Sequence, residues 1–314
     1  MKNKFDFKDI TLLPNYGIVS SRSECDTSVN FGKFNFKIPV VPANMECVID
    51  EQLAIKLATG GYFYVMHRFG INALSFVRKM KTLNLISSIS IGVNEDSYGL
   101  LTQLRNFDLI PDFITIDIAH GHCIKMKKTI EFIREIMPET FIIAGNVCTP
   151  EGVMALEDWG ADSVKCGIAG GSACTTDPMT GFGNRGWQAS MIEECCAVAK
   201  KPIVADGGVK RPSDITKSLV LGATMVMAGG ILTGFSDSPG NLIEHDGKKL
   251  KEYWGSASEH QSGKTNRVEG KKNLIEYKDR SVFDELGFIK ECLQSSISYA
   301  GGNNLDALLL VEYA

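Results

Sequence analysis

Several features are missing from this sequence, and each absence excludes a class of protein. None of the nine cysteines forms a C-x₂-C pair, so zinc fingers and ribbons are not indicated. The count is odd and the cysteines are scattered, which does not suggest a disulfide framework. No run approaches the roughly 18 apolar residues of a membrane span. The opening MKNKFDFKDI has no apolar core of the kind that marks a secretory signal. Basic residues are not in excess: 33 Lys and Arg stand against 37 Asp and Glu, a net charge of −4, so no global field favours nucleic acid or an anionic membrane. These absences lead us to expect a reduced, cytoplasmic protein with neither nucleic acid nor membrane as partner. What is present is ordinary for a globular chain: of 314 residues, 44% are hydrophobic and 22% charged.

The apolar residues fall in short β-rich runs: IPVVPA (38–43), GYFYVM (61–66), ISSISIG (86–92), FITIDI (113–118), TFIIAG (140–145), DSVKCG (162–167), KPIVADG (201–207) and ATMVMAG (223–229). Helical patterns lie between them at 51–59, 73–82, 123–136, 151–159, 188–200 and 212–221. Thr149 and Pro150 make a good helix start. Fully apolar strands fit a parallel sheet covered on both faces. Eight strand–helix units predict a single α/β domain over 1–314, a (β/α)₈ TIM barrel. A doubly wound sheet ranks lower, because no G-x-G-x-x-G follows the first strand. Residues 1–37 form an N-terminal extension, in which FGKFNFK (31–37) alternates like a hairpin arm that could plug the barrel bottom. Residues 230–280 read as a long polar lid with little regular structure, placed after strand eight over the active-site mouth. A last helix is expected at 282–298.

Unusual residues collect at the strand ends. Asp117 and His120 follow strand four, Asn146 strand five, and Asp206-Gly207-Gly208 and Gly229-Gly230 close strands seven and eight. The last two loops occupy the common phosphate site of barrels, and Asp206 could take two ribose hydroxyls; the plain alternative is two tight turns. Strand six runs into Gly167-Ile168-Ala169-Gly170-Gly171-Ser172-Ala173-Cys174. Its glycines permit close approach of backbone to a ligand. They would offer N–H groups to a phosphate or carbonyls to a cation. Cys174 after this run is a candidate nucleophile, whereas the other eight cysteines read as small buried hydrophobes. His120-Gly121-His122 lacks a third metal ligand, and ordinary loop histidines, or a polar ligand contact by one of them, are preferred. Lys165 reads either as a Schiff-base lysine or as a lysine whose charge is paired inside the barrel.

At these residues the sequence resembles the IMP dehydrogenase/GMP reductase family, and within it the reductase branch. The resemblance spans essentially the whole chain. It is carried by VVPANM (40–45), GYFYVMHRF (61–69), ITIDIAHGH (114–122), AGNV (144–147), GGSACTT (170–176), ADGGV (205–209), YWGSAS (253–258), VEGKK (268–272) and LQSSISYAGG (293–302). It implies a (β/α)₈ barrel, a homotetramer, and NADPH-dependent reductive deamination of GMP to IMP and ammonia. Cys174 matches the cysteine that adds to purine C2 as a covalent thioimidate, and Thr176 and Glu269 match its proton-handling partners. Substrate contacts carry over to Met45, Ser172, Asp206, Gly207, Gly208, Gly229, Gly230, Tyr253, Gly255, Ser256 and Ala257. Cofactor contacts carry over to Asp117, Ala119, His120 and Asn146. The carbonyls of Gly167, Ala169 and Cys174 match a potassium site.

The chemistry agrees with the residue types. The C2 amino group is a poor leaving group until protonated, so a hydroxyl relay backed by a carboxylate is useful. The thiol must ionise to attack. His67-Arg68-Phe69 runs straight into the next helix, leaving no room for the regulatory domains that dehydrogenases insert there. The flap SEHQSGKTNRVEGKK (258–272) has Arg267 but no tyrosine beside it to form the dehydrogenase's hydrolytic pair. An IMP dehydrogenase without regulatory domains is therefore the nearest alternative. A Schiff-base lyase using Lys165 and a nucleotide-binding barrel without catalysis stand further off. Departures from the family pattern include Ala169, where glycine is usual, Gly170, where proline is usual, and Asp177, where a basic residue is common.

Overall fold

The computed structural model describes residues 4–263, 265–266 and 268–314. Seven strands form one parallel sheet in the spatial order β3-β9-β8-β7-β6-β5-β4. They are β3 (Val40–Pro42), β4 (Ser88–Ile91), β5 (Phe113–Asp117), β6 (Phe141–Val147), β7 (Ser163–Cys166), β8 (Ile203–Asp206) and β9 (Met225–Ala228). Helices alternate with them, and the expected ones at Glu51–Thr59 and Ala73–Thr82 form with those bounds. This is the (β/α)₈ TIM-barrel architecture the strand count predicts. The second expected strand, GYFYVM, is reduced. Only Met66 pairs, in a parallel bridge to Ile89, with amide bonds from Met66 to Ser88 and from Ser90 to Met66.

The N-terminal extension seals the barrel bottom. β1 (Val29–Phe31) and β2 (Phe34–Phe36) form an antiparallel hairpin. Its Phe31 and Phe36 are buried against Phe63 and against Phe113, the first residue of β5, with ring centroids 4.8 Å apart for Phe63–Phe113 and 5.0 Å for Phe36–Phe63. Aromatic pairs of this kind contribute about 0.5–1.5 kcal/mol each beyond their burial. The alternation in FGKFNFK is thus the inward face of a plug.

The helix-length segment after the third strand forms as helix Glu95–Asn106, anchored by buried Leu101 and Leu104 although Gly99 interrupts its pattern. One expectation needs correction. The stretch 230–280 has more regular structure than expected. It carries an antiparallel sheet of β10 (Leu242–His245), β11 (Lys248–Trp254) and β12 (Lys272–Glu276). Asp246 and Gly247, both at positive φ, make the two-residue turn between β10 and β11. That Asp-Gly pair is a hairpin signal present in the sequence. The closing helix runs Val282–Tyr299, one residue longer than expected.

Candidate active site

Four polar side chains meet at the C-terminal end of the sheet because of the strand register. Asp117 at the end of β5 pairs with Gly145 of β6, and Gly145 pairs with Lys165 of β7. Gly145 has no side chain to separate the two; a Cβ there would lie 2.6 Å from the Lys165 carbonyl oxygen. Lys165 Nζ accordingly reaches Asp117 Oδ1 at 2.7 Å and Asp206 Oδ2 at 2.7 Å. The β6 register shifts between Gly145 and Val147. A bulge of this kind re-aims the side chain it carries, here Asn146. Asn146 Nδ2 donates to Asp206 Oδ2 (2.7 Å) and to the Gly167 carbonyl (2.6 Å), while its Oδ1 accepts from Lys165. Asn44, a residue the sequence reading did not single out, donates to Asp117 Oδ2 at 3.1 Å.

Charge decides the Lys165 alternatives. Burial alone would lower its pKa, but the Asp117 and Asp206 carboxylates outweigh burial and raise it above the ordinary lysine value. Burial would raise Asp117, and the Lys165 ammonium reverses that and holds the carboxyl below its ordinary range. Lys165 is therefore the paired lysine, protonated and unsuited to Schiff-base chemistry. Replacing it with Met should destabilise the fold by about 3–5 kcal/mol at neutral pH, because two carboxylates lose their counter-charge. The sign with pH follows. The depressed Asp117 contributes stability above its unfolded pKa of about 4 and loses it as pH falls through the folded value. The raised Lys165 contributes below about 10.5 and loses it as pH rises through its own. The deficit of Lys165→Met in urea unfolding should thus be largest between those limits and shrink towards pH 4. A deficit below about 1 kcal/mol at pH 7 would contradict the pairing.

The loop after β7 presents Cys174, the candidate nucleophile. At Gly167 φ is +142°, and a Cβ would lie 1.9 Å from the Asp206 carbonyl oxygen, so only glycine fits. Ala169 also takes a left-handed φ of +63°, at a cost of order 1–2 kcal/mol for a residue with a Cβ. Beyond it, Cys174 Sγ lies 3.2 Å from Thr176 Oγ1, and Thr176 Oγ1 donates to Glu269 Oε2 at 2.7 Å. Threonine has one hydroxyl proton, and Glu269 receives it. The Cys174 thiol is therefore the donor in its contact with Thr176.

Backbone pairing fixes this chain of three. Cys174 bridges Gly270 antiparallel, and the amides of Thr175 and Lys271 donate to the carbonyls of Glu269 and Ala173 at 2.8 and 2.9 Å. The flap is anchored in turn by Cys47, whose Sγ donates to the Trp254 carbonyl at 3.2 Å. Burial pushes the Cys47 thiol up to about 12, which agrees with its reading as a buried, unreactive cysteine. Arg267 lies outside the described residues.

A cavity of about 230 Å³ opens over Cys174. Thr176, Glu269, Asp206, Gly207, Met45, Tyr253, Gly255, Ser256 and Ala257 line it together with Asp117, Ala119, Asn146, Gly167 and Ala169. Arg68 joins them, unanticipated from the sequence. A second cavity of about 710 Å³ adjoins it and includes Ser172, Gly208, Gly229 and Gly230. The backbone N–H groups of those four residues have no protein acceptor among the described residues. Clustered free N–H groups beside a strand end are suited to an anion. Tyr253 is shared by both cavities, and burial raises its phenol. His120 is the one expected contact that the structure leaves out: it is exposed and lines neither cavity.

Against known proteins, residues 4–309 match the IMP dehydrogenase / GMP reductase domain. A GMP reductase of Bacillus licheniformis is 52% identical over 314 residues, covering 100% of this chain and 96% of that protein. A GMP reductase of Lactobacillus delbrueckii subsp. bulgaricus is 52% identical over 98% of this chain and 94% of its own length. One from Lactococcus lactis subsp. cremoris is 51% identical over 100% of this chain and 95% of its own length.

Proposed function

The chain belongs to the IMP dehydrogenase / GMP reductase family, and from that membership we propose that it is an oxidoreductase converting GMP and NADPH to IMP, ammonia and NADP. The observation that carries this reading is the hydrogen-bonded chain Cys174–Thr176–Glu269 at the barrel mouth. A reductase must protonate a departing amine, and this chain ends in a carboxylate with a hydroxyl between it and the nucleophile.

GMP would sit with its phosphate on the free N–H groups of Ser172, Gly208, Gly229 and Gly230. Asp206 would hold the ribose. Its Oδ2 is committed to Lys165 and Asn146, and Oδ1 has no partner among the described residues. Met45, Gly255, Ser256 and Ala257 would line the base, placing C2 over Cys174. The thiol proton passes through Thr176 to Glu269 as sulfur bonds to C2. The same relay returns it to the amino group, which leaves as ammonia and gives the thioimidate. NADPH, when bound, supplies the hydride that turns the thioimidate carbon into C2–H of IMP as the sulfur departs. The rim of Asp117, Ala119, Asn146 and Arg68 lines the same cavity as Cys174 and fits the nicotinamide end of that cofactor.

Potassium does not fit in the same way. Two of its three expected carbonyls already accept hydrogen bonds: Gly167 from Asn146, and Cys174 from Arg185 Nη2 at 2.7 Å. The second donor is a guanidinium, itself 3.6 Å from Asp177, so a positive charge already stands beside the loop. Turnover in potassium, sodium and choline buffers should agree within about twofold, less than 0.5 kcal/mol of barrier. Stimulation of about tenfold by potassium would contradict this.

The overall reading is tested by absorbance at the reduced-nicotinamide band. GMP with NADPH should lose absorbance and release one ammonia per NADPH consumed. Faster gain of absorbance with IMP and NAD, at matched concentrations, would favour the dehydrogenase instead.

A further inference from the structure

The second cavity is far larger than the anion cradle at one end of it. Beyond Ser172, Gly208, Gly229 and Gly230 its wall carries Lys210, Arg211, Lys271, Lys278 and Arg280. Arg280 is paired with Glu285. Lys210, Arg211, Lys271 and Lys278 make no ion pair among the described residues, although the chain as a whole is acidic. The remaining carboxylate of the wall, Asp6, is occupied with the amide of Phe7. Lys278 Nζ lies 4.3 Å from the Phe235 ring centroid, and burial lowers its pKa, so it is held in place at a partly desolvated position. The backbone amides of Lys210 and Arg211 donate to Asp214 Oδ2 at 2.9 and 3.0 Å, which fixes the turn that carries both cations. A single phosphate dianion in the cradle would leave about half of the charge on those four unpaired side chains uncompensated.

We propose that this cavity accepts a second phosphate linked to the first, so that a guanosine 5′-diphosphate binds in place of GMP. Its β-phosphate lies against Lys210, Arg211 and Lys278. The inference rests on the proposed use of the Gly208 and Gly229-Gly230 loops for the 5′-phosphate. It adds a ligand class that the reaction itself does not require, because C2 lies at the opposite end of the nucleotide. Lys271 extends the consequence. Its amide ties the flap to Ala173 in the nucleophile loop, so a phosphate drawn to its ammonium holds the flap down on Cys174.

Calorimetric titration of the full chain with GMP, GDP and inorganic pyrophosphate plus guanosine tests this. GDP should bind at least as tightly as GMP. The double variant Lys210→Ala/Arg211→Ala, on the exposed rim, should weaken GDP about tenfold or more and GMP by less than about twofold. Lys278→Met, which keeps the packing on Phe235, should act in the same sense. GDP binding about tenfold weaker than GMP, or equal losses for both nucleotides, would overturn the inference. Binding of pyrophosphate with or without guanosine but not of GDP would overturn it too, since the anion site would then be separate. Turnover of GMP with NADPH in the same preparation reads the underlying assignment. Turnover without GDP binding sinks the second-phosphate inference alone. Tight GDP binding without turnover sinks the reductase reading alone.

Discussion

Cys174→Ala should reduce GMP turnover by at least about 10³-fold, roughly 4 kcal/mol of barrier, while leaving GMP affinity close to unchanged. The split follows from geometry. The groups proposed to hold the phosphate, ribose and base belong to other residues, and in the proposed reaction the sulfur alone bonds to C2. The substitution removes a bond made on the way to the transition state and little that is made in the ground state. The fold should tolerate it, since the backbone of Cys174, not its side chain, bridges Gly270. Loss of less than about tenfold would show that the thiol is not the nucleophile. Cys195, buried on helix Gln188–Val198, is a useful contrast: its replacement by Ala should change stability and leave the rate per folded molecule alone.

Glu269→Gln should slow deamination by about 10²–10⁴-fold, the usual range for a positioned acid–base group. The amide keeps the shape and can still accept from Thr176, but it can no longer take up the thiol proton and pass it on. The step that expels ammonia needs that proton, and the hydride step does not. Run backwards from IMP and the oxidised cofactor, thioimidate formation still requires loss of the thiol proton but expels no amine, so it should suffer less. Thr176→Val interrupts the same relay one atom earlier. If the two residues act as a unit, the double variant should cost little more than the worse single one. Strict additivity would separate them, and equal slowing of both half-reactions would remove the role in protonating the departing amine.

The barrel was legible because its strands are apolar runs between turn residues, and that pattern depends on nothing distant. The lid sheet was missed because it is only half buried. LIEHDGKKLKEYW reads as polar, although its Asp-Gly turn was there to be seen. At the site, strand-end residues such as Asp117 and Asp206 stood out by chemistry alone. The bond between Thr176 and Glu269 joins residues 93 apart in sequence. No local spacing encodes it, and only the family resemblance suggested it. The role of Lys165 was undecidable from its type. Its pairing depends on the register of three strands and on Gly145 leaving room between two of them. Asn44 and Arg68 went unremarked because a polar residue after a strand is commonplace until the cavity around it is known. The basic wall around Lys210, Arg211 and Lys278 is likewise assembled from separate loops, so the overall charge of the chain concealed it.

Covalent capture tests the central claim most directly. The protein is mixed with GMP in the absence of reduced cofactor, quenched, digested and weighed by mass spectrometry. The account predicts one purine nucleotide adduct, lacking the C2 amino group, on the peptide that contains Cys174, and none in Cys174→Ala. An unmodified Cys174 in protein that turns GMP over, or an adduct on any of the other eight cysteines, would contradict it.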